Sequence, residues 1–179
     1  MKNWNVVAVV RADGFNEALG VLREFGHVRR SRFFNVIEMS VANAREFIDG
    51  IGRKFSENPG LSALFSRLLP VEMAFAFSTA EEFREKAGES VRAFVPELEG
   101  KSFHVRIHRR GFKKRFSSPD EERFLDRLAL DELERSGSPG RISFEDPDAI
   151  IAIETIEDRA GAALWSREDM ARYPFIRVE

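Results

Sequence analysis

Apolar positions along this chain change their period several times, and each change predicts an element. Residues 5–10, "NVVAVV", are continuous and β-branched, as a buried central strand requires. Phe15, Leu19, Leu22 and Phe25 then fall at helical spacing, with Gly26 as a stop. "VRRSRF" and "NVIEMSV" read as two strands joined by a tight turn, and Phe47, Ile48, Ile51 and Phe55 repeat the helical period. "ENPG" interrupts that helix, "LSALFSRLLP" predicts a short second one ended by Pro70, and "VEMAFAF" at 71–77 predicts a fourth strand. The order is β-α-β-β-α-β, the split βαβ arrangement of a ferredoxin-like module, which places a first domain at 1–78.

The second half, 79–179, starts with an N-cap signal at Ser78 or Thr79 followed by acids, and Ala80, Phe83, Ala87, Val91 and Phe94 make one helical face. "SFHVRIH" alternates, so Phe103, Val105 and Ile107 point one way and His104, Arg106 and His108 the other. "SSPDEERFLDRLALDELERSG" predicts a long helix capped by Ser118, with Pro119 first in the helix and Gly137 at the exit. "RISFEDPD", "AIIAIETI" and "AGAALWS" read as three further strands. The fold class is therefore α+β.

Composition changes this picture little: 43% hydrophobic and 32% charged residues suit a folded domain with a real core. The absence of cysteine excludes disulfides and thiolate chemistry. The apolar run near the N-terminus, Val6–Val10, is too short for a signal peptide core or a membrane span, so a cytoplasmic protein is expected.

Charge changes the picture more. The net charge is only −2, yet residues 101–118 hold seven bases and no acid, whereas residues 119–179 hold eight bases and sixteen acids. Lys101, Arg106, Arg109, Arg110, Lys113, Lys114 and Arg115 make up the basic run, and Ser117 and Ser118 follow at a helix start. A turn rich in guanidinium groups beside the free N–H groups of a helix is a phosphate site. The competing reading is a solvated turn whose charges answer acids on the next helix.

Other candidates carry less. His104 and His108 form H-x-x-x-H, but on a strand their spacing is about 13 Å, too far for one ion, so they are expected as surface polar groups or RNA contacts. The acids between Asp120 and Glu134 alternate with Arg123, Arg127 and Arg135, as a solvated helix face does. Phosphate-loop, dinucleotide-turn and nucleophile-elbow motifs are missing, so no catalytic residue, cofactor or metal is expected.

"FHVRIHRRGFKKRFSSPDEERF" followed by "EDPDAIIAIETIEDRAGAALWSREDMARYPF" resembles a THUMP domain: an F-x-V-R strand, a basic "RRG…SS" turn, a helix, and a "DPD" turn leading into I-x-I-E. The ferredoxin-like unit before it resembles the module that accompanies such domains. The resemblance implies a tRNA-binding module that docks the acceptor stem, with Arg106, Arg109, Arg110, Lys113, Lys114, Arg115, Ser117 and Ser118 as RNA contacts; Lys101, from the basic run alone, completes the expected RNA-binding set. Because the sequence stops soon after "YPF", a stand-alone THUMP protein is expected. It would be a non-catalytic adaptor presenting tRNA to a separate modifying enzyme, such as an acetyltransferase making N4-acetylcytidine. The alternative is a protein-docking module that uses its acidic helix and basic turn without touching RNA.

Overall fold

The computed structural model describes residues 3–113 and 115–178. It divides into two compact units, residues 1–72 with 170–179 and residues 73–169, so the division expected at 78/79 moves to 72/73. The chain's last segment also belongs with the first unit. There Tyr173 donates its hydroxyl to the Asp49 carboxylate, and the Phe175 ring meets Phe55 edge-on at 5.1 Å between centroids.

The first unit runs β1 (Val6–Val10), α1 (Phe15–Arg23), β2 (His27–Arg30), β3 (Val36–Ser40), α2 (Ala44–Glu57), α3 (Pro59–Ser62) and β4 (Phe65–Pro70). These strands form one antiparallel sheet in the order β2-β3-β1-β4, the split βαβ order expected. Burial of Val6, Val7, Ala8, Ile37, Met39, Leu68 and Leu69 accounts for the continuous apolar strand patterns. Asn43 caps α2, its side-chain oxygen accepting from the amides of Arg45 and Glu46.

Two expectations fail in this unit, both around residues 61–77. Only Pro59–Ser62 is helical, and the segment read as the rest of a short helix is the fourth strand, β4. The segment read as the fourth strand instead supplies β5 (Met73–Ala76), which pairs with β9 in the other unit's sheet. Short apolar runs do not distinguish helix from strand by period alone, and pairing with β1 decides the matter. Pro70 is tolerated because β4 is an edge strand.

The second unit runs β5, α4 (Ala80–Phe94), a 3₁₀ turn (Val95–Leu98), β6 (Ser102–Arg110), α5 (Ser118–Arg135), β7 (Arg141–Ile142), β8 (Ala149–Ile156) and β9 (Arg159–Ser166). Helix α6 (Arg167–Arg172) crosses the boundary back to the first unit. The sheet order is β5-β9-β8-β6-β7, with β6 parallel to both β7 and β8. Helices α4 and α5 cover it through one apolar cluster that includes Phe83, Val91, Phe103, Val105, Leu125, Ala129, Ile151 and Leu164. Thr79 caps α4 by accepting from the Glu82 amide, and the Glu82 carboxylate in turn accepts from the amide of Ser78, just before the cap. The strand expected across "RISFEDPD" is only two residues long, because Pro147 and three acids leave little that can pair.

No helix among the described residues is long and apolar enough to cross a membrane.

Candidate nucleic-acid interface

Strand β6 ends at Arg110, and the basic turn occupies residues 111–117 before α5 begins at Ser118. Gly111 (φ 91°) and Phe112 (φ 51°) are both left-handed, so the chain reverses abruptly. A left-handed phenylalanine is strained, and packing holds it in place. Its ring lies 4.8 Å from Phe77, and Phe116 stacks on Phe83 at 4.6 Å with an interplanar angle of 11°. The motif "FKKRF" is therefore a clamp in which two rings four residues apart anchor the turn to the core.

Between these anchors Lys113 and Arg115 are exposed, and the Arg115 guanidinium lies 4.8 Å from the Phe112 ring centroid. Lys114, also expected to touch RNA, lies outside the described residues. Ser117 is exposed and is the residue that caps α5, with no side-chain hydrogen bond of its own to the helix. Ser118 and Pro119 are thus the first and second helical residues, and the helix starts one residue earlier than expected. Of the acids in the first turn, Glu121 is buried and gripped by Arg84 of α4 through bonds of 2.7 and 2.8 Å. A shallow hollow beside the turn is lined by Phe112, Lys113 and Arg115 together with Glu157 and Asp158 of the β8–β9 turn.

The rest of the basic run behaves differently. Arg110 forms an ion pair with Glu154 of β8, whose side chain is wholly buried. Arg106 lies 4.0 Å from Glu122 of α5. Arg109 folds over its own turn, donating to the Gly111 carbonyl at 2.7 Å and lying 5.7 Å from the Phe116 ring. Lys101 is exposed but precedes β6, about 30 Å from the strand's far end at ~3.3 Å per residue, so it is not part of the cluster. The fold brings Arg109, Arg110, Lys113, Arg115, Ser117 and Ser118 together, and only some of their charges face water.

The histidines correct a further expectation. His104 is fully buried, its Nδ1 2.8 Å from the Ser143 carbonyl and its ring 5.1 Å from Phe144, so it is not a surface RNA contact. His108 is half-buried. The long acidic helix also has a role that its sequence does not reveal. β7 pairs only with the first two residues of β6, leaving later β6 amides without a strand. Carboxylates of α5 take those amides instead: Asp126 accepts from Val105 and Glu122 from Ile107, both at 2.7 Å. Burial pushes the Asp126 carboxyl up to about 6, although the Val105 amide favours its charged form.

No protein-family model matches this chain, and no curated protein is similar to it at a significant level. Among solved structures it is similar to PH1313 from Pyrococcus horikoshii Ot3, at 15% identity and a TM-score of 0.62 over 90% of this chain and 54% of the other. A 4-thiouridine synthetase in complex with RNA and ATP gives 13% identity and a TM-score of 0.59, covering 91% of this chain and 41% of that one. TrmN from Thermus thermophilus gives 19% and 0.53, covering 89% and 44%. The chain thus spans about half or less of these proteins' lengths. At such identities what is shared is the fold, and it is shared along both units.

Proposed function

We propose that this protein binds tRNA without catalysing its chemistry, and that it presents the tRNA to a modifying enzyme. The observation that carries the reading is the clamped turn: two half-buried rings packed on the core hold Lys113 and Arg115 in water at the carboxyl end of β6, next to the N-terminus of an 18-residue helix. Ligands of open α/β sheets gather at the carboxyl ends of strands, and helix N-termini favour anions. The shared fold with a 4-thiouridine synthetase bound to RNA supports the choice of RNA over other polyanions. The resemblance to THUMP proteins supports tRNA, its acceptor stem in particular, and N4-acetylcytidine formation by a partner acetyltransferase is the finest form of the proposal. A-form RNA is gripped through its phosphates and shape, so affinity is expected to vary little between tRNAs.

Filter binding of tRNA across a salt series tests it. Each phosphate neutralised contributes about 0.7–0.9 to the slope of log K against log salt, so replacing Lys113 and Arg115 together by Ala should flatten the slope by about 1.5. A slope that does not change removes the turn from the interface, and a wild-type protein that does not retain tRNA at low salt removes the function.

A second reading, docking of a protein partner, is favoured by the groove between α4 and α5. Phe124 there is 38% exposed beside Leu128, with Glu81, Glu85 and Glu89 along the rim. Retention of a partner enzyme after RNase treatment, and its loss on Phe124→Asp, would support docking without an RNA bridge.

A further inference from the structure

The β2–β3 hairpin of the first unit carries the most exposed large apolar side chain among the described residues, Phe34, at 84%. A single exposed phenylalanine carries no message, since folded surfaces are rich in apolar atoms. Its setting here is unusual in two respects.

The tip is stiff. The Ser31 amide donates to the Val36 carbonyl at 2.9 Å, Val36 returns a bond to Phe33 at 3.3 Å, and the Phe33 amide reaches the Ser31 hydroxyl at 3.3 Å. Asn35, left-handed at φ 56°, has its carbonyl held by the Val10 amide of β1 at 2.9 Å. The backbone that displays the ring is thus held, so little backbone freedom remains to be lost on binding.

The tip is also basic. Residues 27–35 hold three arginines and no acid. Arg29 pairs with Glu38, and Arg30 lies 4.3 Å over the Phe15 ring while donating to Asn16. Arg32 at the tip and Arg11, just past the end of β1 that holds the tip, are both exposed. Arginines along β2, an edge strand, also work against pairing with a second copy of the chain.

We infer that the β2–β3 hairpin is an RNA-stacking finger: Phe34 takes the face of an unpaired base while Arg32 and Arg11 meet the flanking phosphates. The inference rests on the RNA-binding reading above and adds to it the feature recognised, a single-stranded nucleotide. It would be a second contact on a unit that the charge pattern of residues 101–118 does not mark.

The test uses the full chain and two RNAs, an unmodified tRNA transcript and a blunt, fully paired RNA duplex of similar length. Phe34→Ala should weaken tRNA binding about 5- to 150-fold, the range for one lost base–aromatic stack, and change duplex binding less than about twofold. Phe34→Trp should bind tRNA like the wild type, and its emission should fall on binding. Trp4 and Trp165 are both 1% exposed, so the wild-type protein titrated alongside gives the background. Equal binding of tRNA by Phe34→Ala and wild type, while the Lys113/Arg115 variant loses affinity, overturns the finger and leaves the RNA-binding reading standing. A Phe34→Trp protein that binds tRNA with unchanged emission also overturns it. A wild type that binds neither RNA overturns both readings. Capture of the wild type by phosphatidylserine vesicles, lost in Phe34→Ala while tRNA binding is kept, replaces the finger with a membrane contact.

Discussion

Two short segments of this chain mix phenylalanine with basic residues, and the fold treats them in opposite ways. In "GFKKRF" both rings turn inward, onto Phe77 and Phe83, and Lys113 and Arg115 between them face water. In "RRSRFF" one ring, Phe34, faces water, while Arg29 and Arg30 lie back on their own unit. Similar composition therefore yields a cationic knuckle in one place and an aromatic tip in the other. What separates them is the backbone: the first follows a strand that leads into a helix over a core, and the second is the tip of a hairpin at the edge of a sheet.

A second contrast lies within the basic run, between arginines in the strand and cations in the turn. Arg110 stands opposite a buried acid of β8, whereas Lys113 and Arg115 have solvent before them. Arg110→Ala breaks the ion pair of the buried Glu154 side chain and should cost about 3–5 kcal/mol in a urea unfolding titration, with the salt slope of tRNA binding unchanged. A changed slope with intact stability would break the contrast, making Arg110 a contact and not a strut.

Removing an anchor comes next in size. Phe116→Ala should destabilise the second unit by about 3 kcal/mol, the low end for buried phenylalanine since this ring is partly covered, and should weaken tRNA binding without removing a single charge. Full binding in a stable variant would show that the turn needs no clamp.

Asp126 provides a test of comparable or smaller size at the covered edge of β6. Its carboxyl, lifted by burial from 3.8 to about 6, holds its proton more readily in the folded state than in the unfolded chain. The stabilisation this brings is full at low pH and is lost as pH rises from about 4 through 6. Asp126→Asn keeps an acceptor for the Val105 amide without the charge. It should match the wild type below pH 4 and exceed its stability by at most about 3 kcal/mol at pH 7.5. Identical pH profiles would mean the carboxyl is ionised as in water. Smallest of all should be the effect on stability of the Lys113/Arg115 double substitution, within about 0.5 kcal/mol, which makes its loss of RNA binding readable.

Several parts of the molecule were legible before any coordinates. The continuous valines of β1, the helical periods of α1, α2 and α4 and the N-cap signal at Ser78 or Thr79 are local features, set by neighbours a few residues away. Basic residues before a helix start could likewise be seen as a candidate anion site. The helix expected at 61–70 could not be corrected locally, because Phe65, Leu68 and Leu69 suit either period and β1 selects the strand. The place of His104 was hidden for the same reason: alternation assigned it to water, but the polar face of β6 is covered near its start.

The sequence by itself determined an α+β chain with a split βαβ unit in its first part, and it determined where positive charge accumulates. Only the tertiary structure decided which of those charges reach solvent, since Glu154 and Glu122 come to Arg110 and Arg106 from another strand and a helix. It also decided that the acids of α5 serve as acceptors for a strand edge. Charge is a property of composition, whereas its availability depends on distance and burial, and both are set by contacts between residues far apart in the chain.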